Sequence, residues 1–153
     1  MTAFDPNTFA AMTFQEANST ESFPVPVGEY PGTIDKKDIV TWAAKDGSSA
    51  GLKMNVIWSV ENQPAVTEIT GREKNLIRQE FMFDLTESGM LDTGKGKNVK
   101  LGRLRAAVGL NTPGEPFSFD MLVGRCAKIS VGHRPDQRDS SVLYAEVKDV
   151  AAM

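Results

Sequence analysis

An all-β barrel with one helix set between its third and fourth strands is the fold class that this 153-residue sequence predicts. Three observations predict it. Five runs read as strands, and turn-rich segments separate most of them. Residues 94–110, GKGKNVKLGRLRAAVGL, break that pattern: Leu101, Leu104 and Val108 recur at i, i+3 and i+7, the spacing of one helix face. Asn98 stands where such a helix starts, and Gly109 where it ends. Five antiparallel strands with that helix between the third and fourth is the element order of an OB-fold.

Residues 1–27 read as an N-terminal arm and linker, and residues 28–153 as the barrel domain. Asp5-Pro6 can open a short helix, with Asp at the cap and Pro in the first turn. Ser19, Thr20, Ser22, Pro24 and Pro26 mark a linker. The first strand is expected over residues 30–40, with Pro31 near its start or edge. Residues 42–51 form a loop around Asp46-Gly47.

The second strand, residues 52–60, alternates cleanly. Leu52, Met54, Val56, Trp58 and Val60 share one face; Lys53, Asn55, Ile57 and Ser59 share the other. Residues 62–74 read as a polar connection with a short strand at 66–69. The third strand, residues 76–85, turns Ile77, Phe81, Phe83 and Leu85 one way and Arg78, Glu80, Met82 and Asp84 the other. The helix is expected over 98–108, and NTPGE at 111–115 is a turn. Residues 125–133 form the fourth strand, with Ala127, Ile129 and Val131 inward, and residues 142–150 the fifth.

Apolar residues make up 41% of the chain, enough for a core. No apolar run approaches the roughly 20 residues that span a bilayer, so no membrane partner is expected. The first basic residue is Lys36, which argues against the charged start of a secretory signal. Cys126 is the single cysteine; an internal disulfide is impossible, and a reducing cytoplasm is expected. The net charge of −3 is unevenly spread. Residues 1–35 hold five acids (Asp5, Glu16, Glu21, Glu29, Asp35) and no Lys or Arg. The remaining residues hold 15 acids and 17 bases, a balance of +2. Phosphate affinity follows local Lys and Arg clusters rather than the total.

Catalytic patterns are weak. GMLDTGK at 89–95 follows a phosphate-binding loop for seven positions, but Gly96 replaces the Ser or Thr that holds magnesium, and no parallel-sheet context surrounds it. His133 is the single histidine and has no partner at metal-ligand spacing. A lone Cys126 reads as a small packed residue. The carboxylates are scattered. No catalytic residue, metal or cofactor is expected.

Sequence-independent binding of single strands needs a basic groove and flat side chains on which bases stack. Trp58, Phe81 and Phe83 lie on apolar strand faces and belong to the core. Trp42 sits beside the loop between the first two strands, which flanks the ligand face of OB-folds, and is the stacking candidate. Lys45 lies in that loop, and Arg134 and Arg138 lie at and within the loop before the last strand, residues 135–141; both loops flank the groove. Arg78 points away from Phe81. Lys95, Lys97, Lys100 and Arg103 form the densest basic patch, in the helix and its glycine-rich lead-in.

Four short segments carry a resemblance. PVGEY at 26–30 opens the first strand, and NVKLGRL at 98–104 forms the helix. LVGR at 122–125 leads into the fourth strand, and YAEVKDV at 144–150 closes the last. Across residues 24–150 the chain resembles small bacteriophage proteins similar to OB-fold single-stranded DNA-binding proteins. The resemblance implies a non-enzymatic protein that coats single-stranded DNA during replication or recombination, with replication or recombination proteins as partners. Many such proteins end in an acidic tail; KDVAAM at 148–153 holds no acidic run, and the acidic segment here lies at the front. That arm has two uses open to it: to cover the basic groove, or to bridge subunits of a homo-oligomer through Phe4, Phe9, Met12 and Phe14. Two other readings compete with DNA coating. One is an OB-like protein–protein module whose basic helix is only a solvated face; the other is a small nuclease.

Overall fold

The computed structural model describes residues 4–153. Five strands close into a barrel in the order β1-β2-β3-β5-β4: β1 (Gly28–Ala43), β2 (Ala50–Glu61), β3 (Lys74–Met82), β4 (Cys126–Pro135) and β5 (Leu143–Ala151). Three α-helices join them: α1 (Pro6–Ala11) in the arm, α2 (Pro64–Thr70) between β2 and β3, and α3 (Val99–Ala107) between β3 and β4. A short 3-10 turn, Phe119–Leu122, precedes β4. No helix among the described residues is long and apolar enough to cross a membrane.

The expected all-antiparallel sheet needs correction. Four seams are antiparallel, but β3 and β5 run parallel and meet at a single bridge, Arg78 with Glu146. The reason is parity. Directions that alternate around a ring require an even number of strands, so a ring of five has at least one parallel seam. The expected strand at 66–69 is also corrected: those residues lie in α2. Pro64 occupies its first turn, and Gly71 ends it at φ 76° with its N–H on the Thr67 carbonyl (2.8 Å).

β1 serves two partners. Residues 28–33 pair with β4, residues 33–43 pair with β2, and an irregularity between Ile34 and Lys36 leaves Asp35 as the extra residue. Such a bulge bends a strand enough to turn a barrel corner. Inside, Trp58, Phe81, Ile34, Met54, Ile77 and Ile129 are at most 2% exposed, as the alternation predicts. The Trp58 indole N–H donates to Gln79 Oε1 (2.9 Å), so the largest core side chain leaves no polar atom unmet.

Helix α3 covers the core with Leu101, Leu104 and Val108, all buried. It ends in a Schellman motif. Leu110 N–H donates to the Arg105 carbonyl (2.7 Å), Gly109 N–H to the Ala106 carbonyl (3.2 Å), and Gly109 takes φ 76°. Asn98 stands at the helix start as expected but does not cap it with its side chain. Its amide oxygen accepts from Asp84 N–H (2.9 Å), and its amide nitrogen donates to the carbonyls of Asp84 (2.9 Å) and Asp92 (2.8 Å). Asn98 therefore clips the loop after β3 to the start of α3.

Two glycines give opposite expectations. At Gly32 a Cβ would sit 3.1 Å from Ile129 Cδ1 and 3.2 Å from Trp58 Cε3. Gly32→Ala should cost about 1–3 kcal/mol through overpacking. Gly102 lies within α3 with nothing within 4 Å of a Cβ, so Gly102→Ala should stabilise by about 0.5–1 kcal/mol. Urea unfolding followed by tryptophan fluorescence reads both; the same sign for the two variants would contradict this packing.

Candidate nucleic-acid interface

Alternation puts every second residue of β1, β2 and β3 on the outside of the barrel, and the register stacks these residues into rows. Lys36, Ile57 and Arg78 lie abreast, followed by Asp38, Asn55 and Glu80, then Val40, Lys53 and Met82. Trp42 beside Gly51 closes the face. From the Arg78 row to the Trp42 row is six residues along β2, roughly 20 Å at strand rise.

Arg78 is held flat on this face. Its Nη2 donates to Glu80 Oε2 (2.7 Å) and to Asn55 Oδ1 (2.8 Å), and its Nε also reaches Asn55 Oδ1 (3.1 Å). Lys53 Nζ meets the same Glu80 oxygen at 3.4 Å. One carboxylate thus bridges two bases. These groups are partly exposed, and such pairs add roughly 0–1 kcal/mol to stability. Their main effect is to orient the bases.

Beyond Arg78 the face continues onto β5 and the loop between β4 and β5. Arg134 Nε lies 3.4 Å from Glu146 Oε2, and its guanidinium lies 5.4 Å from the centre of the Tyr144 ring. Lys148 also pairs with Glu146. Arg78, Glu80, Arg134 and Glu146 line one depression of about 320 Å³; Lys36, Asp38, Asn55 and Arg78 line another of about 220 Å³. Arg78 belongs to both and joins them.

Asp136 organises the loop that carries Arg138. Its carboxylate accepts from the Tyr144 hydroxyl (2.7 Å) and from the N–H groups of Arg138 (2.8 Å) and Asp139 (3.2 Å). These donors hold the Asp136 carboxyl below its ordinary value, the Tyr144 hydroxyl being the strongest cause. The same hydrogen bond raises Tyr144.

At the other end, the loop between β1 and β2 is a defined turn. Ala44 N–H donates to the Ser49 carbonyl (2.8 Å), and Ser48 N–H to Asp46 Oδ1 (2.9 Å). Lys45 is exposed on it. The Trp42 indole rests on Gly51, whose Cβ position would be 3.0 Å from Nε1. Trp42 is half-buried, and its Nε1 is covered without a partner among the described residues.

The sequence-predicted residues therefore divide. Arg78 and Arg134 come together; Arg138 sits in the adjoining loop, and Trp42 and Lys45 lie at the far end of the same face. Lys100 is committed elsewhere: its ammonium donates to the Glu80 carbonyl (2.5 Å) and lies 5.0 Å from the centre of the Phe81 ring. It covers backbone of β3 beyond the single bridge to β5. Lys97 and Arg103 line a groove beside α3 that shares no residue with the two depressions, and Lys95 is exposed in the lead-in. His133 Nε2 donates to the Val25 carbonyl (2.7 Å) and ties the arm to the barrel.

Lys53 and Asn55 belong to the face although neither was a sequence candidate. The alternation opposite Trp58 carried the signal. Among the described residues, no group of three or more His, Cys, Asp and Glu side chains is placed to hold a metal. No protein-family model matches the chain, and no curated protein matches it.

The Asp136–Tyr144 contact sets two pH effects. With its carboxyl lowered in the folded state, Asp136 supports the loop at neutral pH, and that support fades as pH falls below the ordinary carboxylate value of 3.8. Asp136→Asn removes the negative charge, so Tyr144 should ionise at lower pH, nearer 10.0. Ultraviolet titration of the chain's two tyrosines should show one of them shifting downward; an unchanged curve would break the contact's assignment.

Proposed function

We propose that the chain is an OB-fold protein that binds single-stranded DNA without strong sequence preference and catalyses no reaction. The phage-type coating role expected from the sequence, in replication or recombination, is the setting proposed for it. One observation carries the reading. A barrel ordered β1-β2-β3-β5-β4, with a helix between β3 and β4, exposes on β2 and β3 a face with Arg78 at its centre. In OB-folds that face and its two flanking loops take oligonucleotides.

The chemistry supports a path along the face. Phosphates meet Arg78, Lys53 and Arg134, with Lys45 and Arg138 at the two ends. A base stacks on Trp42, since aromatic stacking accepts any base. Glu80 and Glu146 hold the bases in place when the face is empty and compete with phosphate when it is filled. Affinity is therefore strongly salt-dependent, because binding exchanges ion pairs and counterions for phosphate contacts. Single strands are favoured over duplex because stacking on Trp42 needs an unpaired base.

Titration of a fluorescent oligonucleotide, with duplex as competitor, tests the reading. Trp42→Ala should weaken binding by about 1–3 kcal/mol. Arg78→Ala and Arg134→Ala should each flatten the log–log salt slope by about 0.7 for every phosphate no longer neutralised. Glu80→Gln keeps the side-chain shape, removes the competing charge, and should tighten binding at low salt. A folded protein that leaves single strands unbound at low salt would overturn the proposal and favour a protein–protein module.

A further inference from the structure

The barrel takes hold of the arm at Ser22. Its hydroxyl donates to the Leu143 carbonyl (3.3 Å), Val25 is 3% exposed, and His133 holds the Val25 carbonyl. Upstream, the arm's hydrogen bonds are local: Asp5 accepts from Asn7 N–H (3.0 Å) and the Thr8 hydroxyl (2.7 Å) and so caps α1. Phe9 and Phe14 pack on each other at 6.3 Å between ring centres. Yet Phe4, Phe9, Met12 and Phe14 remain 103, 66, 53 and 64% exposed. A six-residue helix is not stable on its own in water. A cluster of exposed aromatic residues on such a segment calls for a covering surface.

The groove beside α3 has the matching chemistry. It measures about 430 Å³ between the helix and residues 91–93. Leu91, Gly102 and Ala106 give it small and apolar lining, and Gly102 leaves open space where a side chain would stand. Lys97 and Arg103 line it, and among the described residues neither pairs with a carboxylate. Arg105 adds a third charge, although it already donates to the Leu110 carbonyl (3.0 Å) and stacks on Phe117. The single carboxylate in the lining, Asp92, is taken up by Gly94 N–H (2.8 Å). The arm is aromatic and acidic, with Asp5, Glu16 and Glu21 and no Lys or Arg; the groove is apolar and basic.

We propose that the α3 groove receives the aromatic, acidic arm of a second copy of this chain. Arm and groove are different surfaces, so the contact is head-to-tail and each copy keeps one of each for the next neighbour. On a single strand it would make binding cooperative. That consequence rests on the DNA-binding reading; the contact itself does not.

Light scattering of the full chain without nucleic acid tests the contact. Mass should rise with concentration and fall as salt screens the charges. Phe9→Ala/Phe14→Ala should leave monomer, and so should Lys97→Glu/Arg103→Glu. Mixing the two variants restores one intact arm and one intact groove, so the mixture should give a dimer that grows no further. A wild-type monomer at every concentration, variants that assemble like wild type, or a mixture that stays monomeric would each overturn the proposal. The first result would be expected if the arm docked on its own barrel. Short-oligonucleotide binding by the Phe9→Ala/Phe14→Ala variant separates the two readings: assembly without DNA binding sinks only the functional proposal.

Discussion

Trp58 sets the dimensions of this barrel. The indole lies in the interior, and the adjoining strand β1 must be thin enough to admit it. Gly32 supplies that thinness: a Cβ there would press on Trp58 and Ile129, at 3.2 and 3.1 Å. A buried indole also needs an acceptor, and Gln79 turns inward from β3 to provide one. Gln79 breaks the apolar run between Ile77 and Phe81, and the N–H it meets explains why a polar residue belongs there. Because the bond links β2 to β3, it also favours their register, since a slip of β3 by one residue would turn Gln79 outward and break the bond.

Register on the inside dictates arrangement on the outside. With Trp58 and Ile77 paired inward, Ile57 and Arg78 must stand abreast outward, and Asn55 and Glu80 follow. The basic face is thus the reverse side of the core. The parallel seam adds the rest. β3 and β5 share only the Arg78–Glu146 bridge, so Lys100 from α3 reaches the Glu80 carbonyl farther along β3. The one weakly paired seam brings Arg78 and Arg134 to a common depression.

A net charge of −3 and a face rich in Lys and Arg coexist because charge is segregated along the chain and balanced on the face. Most acids of the front segment lie on an arm that first engages the barrel at Ser22. On the face, Glu80 and Glu146 each bridge two bases. These ion pairs hold the bases of the face in place. The arm and the α3 groove repeat the same complementarity between acid and base on a second pair of surfaces.

Residue order alone was enough to read the strand alternation, the inward set on β2 and β4, the stripe of Leu101, Leu104 and Val108, and the terminating role of Gly109. Each depends on periods of 2 or 3.6 residues, or on the φ a single residue adopts, and those are local properties. The α1 start at Asp5-Pro6 was legible for the same reason. Pro64 and Gly71 also carried a local signal, but the β-branched residues between them obscured it. The parallel β3–β5 seam follows from five strands only once the ring is known to close. Tertiary structure alone decided which bases share a surface. Arg78 and Arg134 lie far apart in sequence and meet across a seam, whereas Lys97, Lys100 and Arg103 are near neighbours in sequence yet serve a groove, a backbone carbonyl and the groove again. Sequence spacing gives direction within one element; distance between elements is set by how the barrel closes.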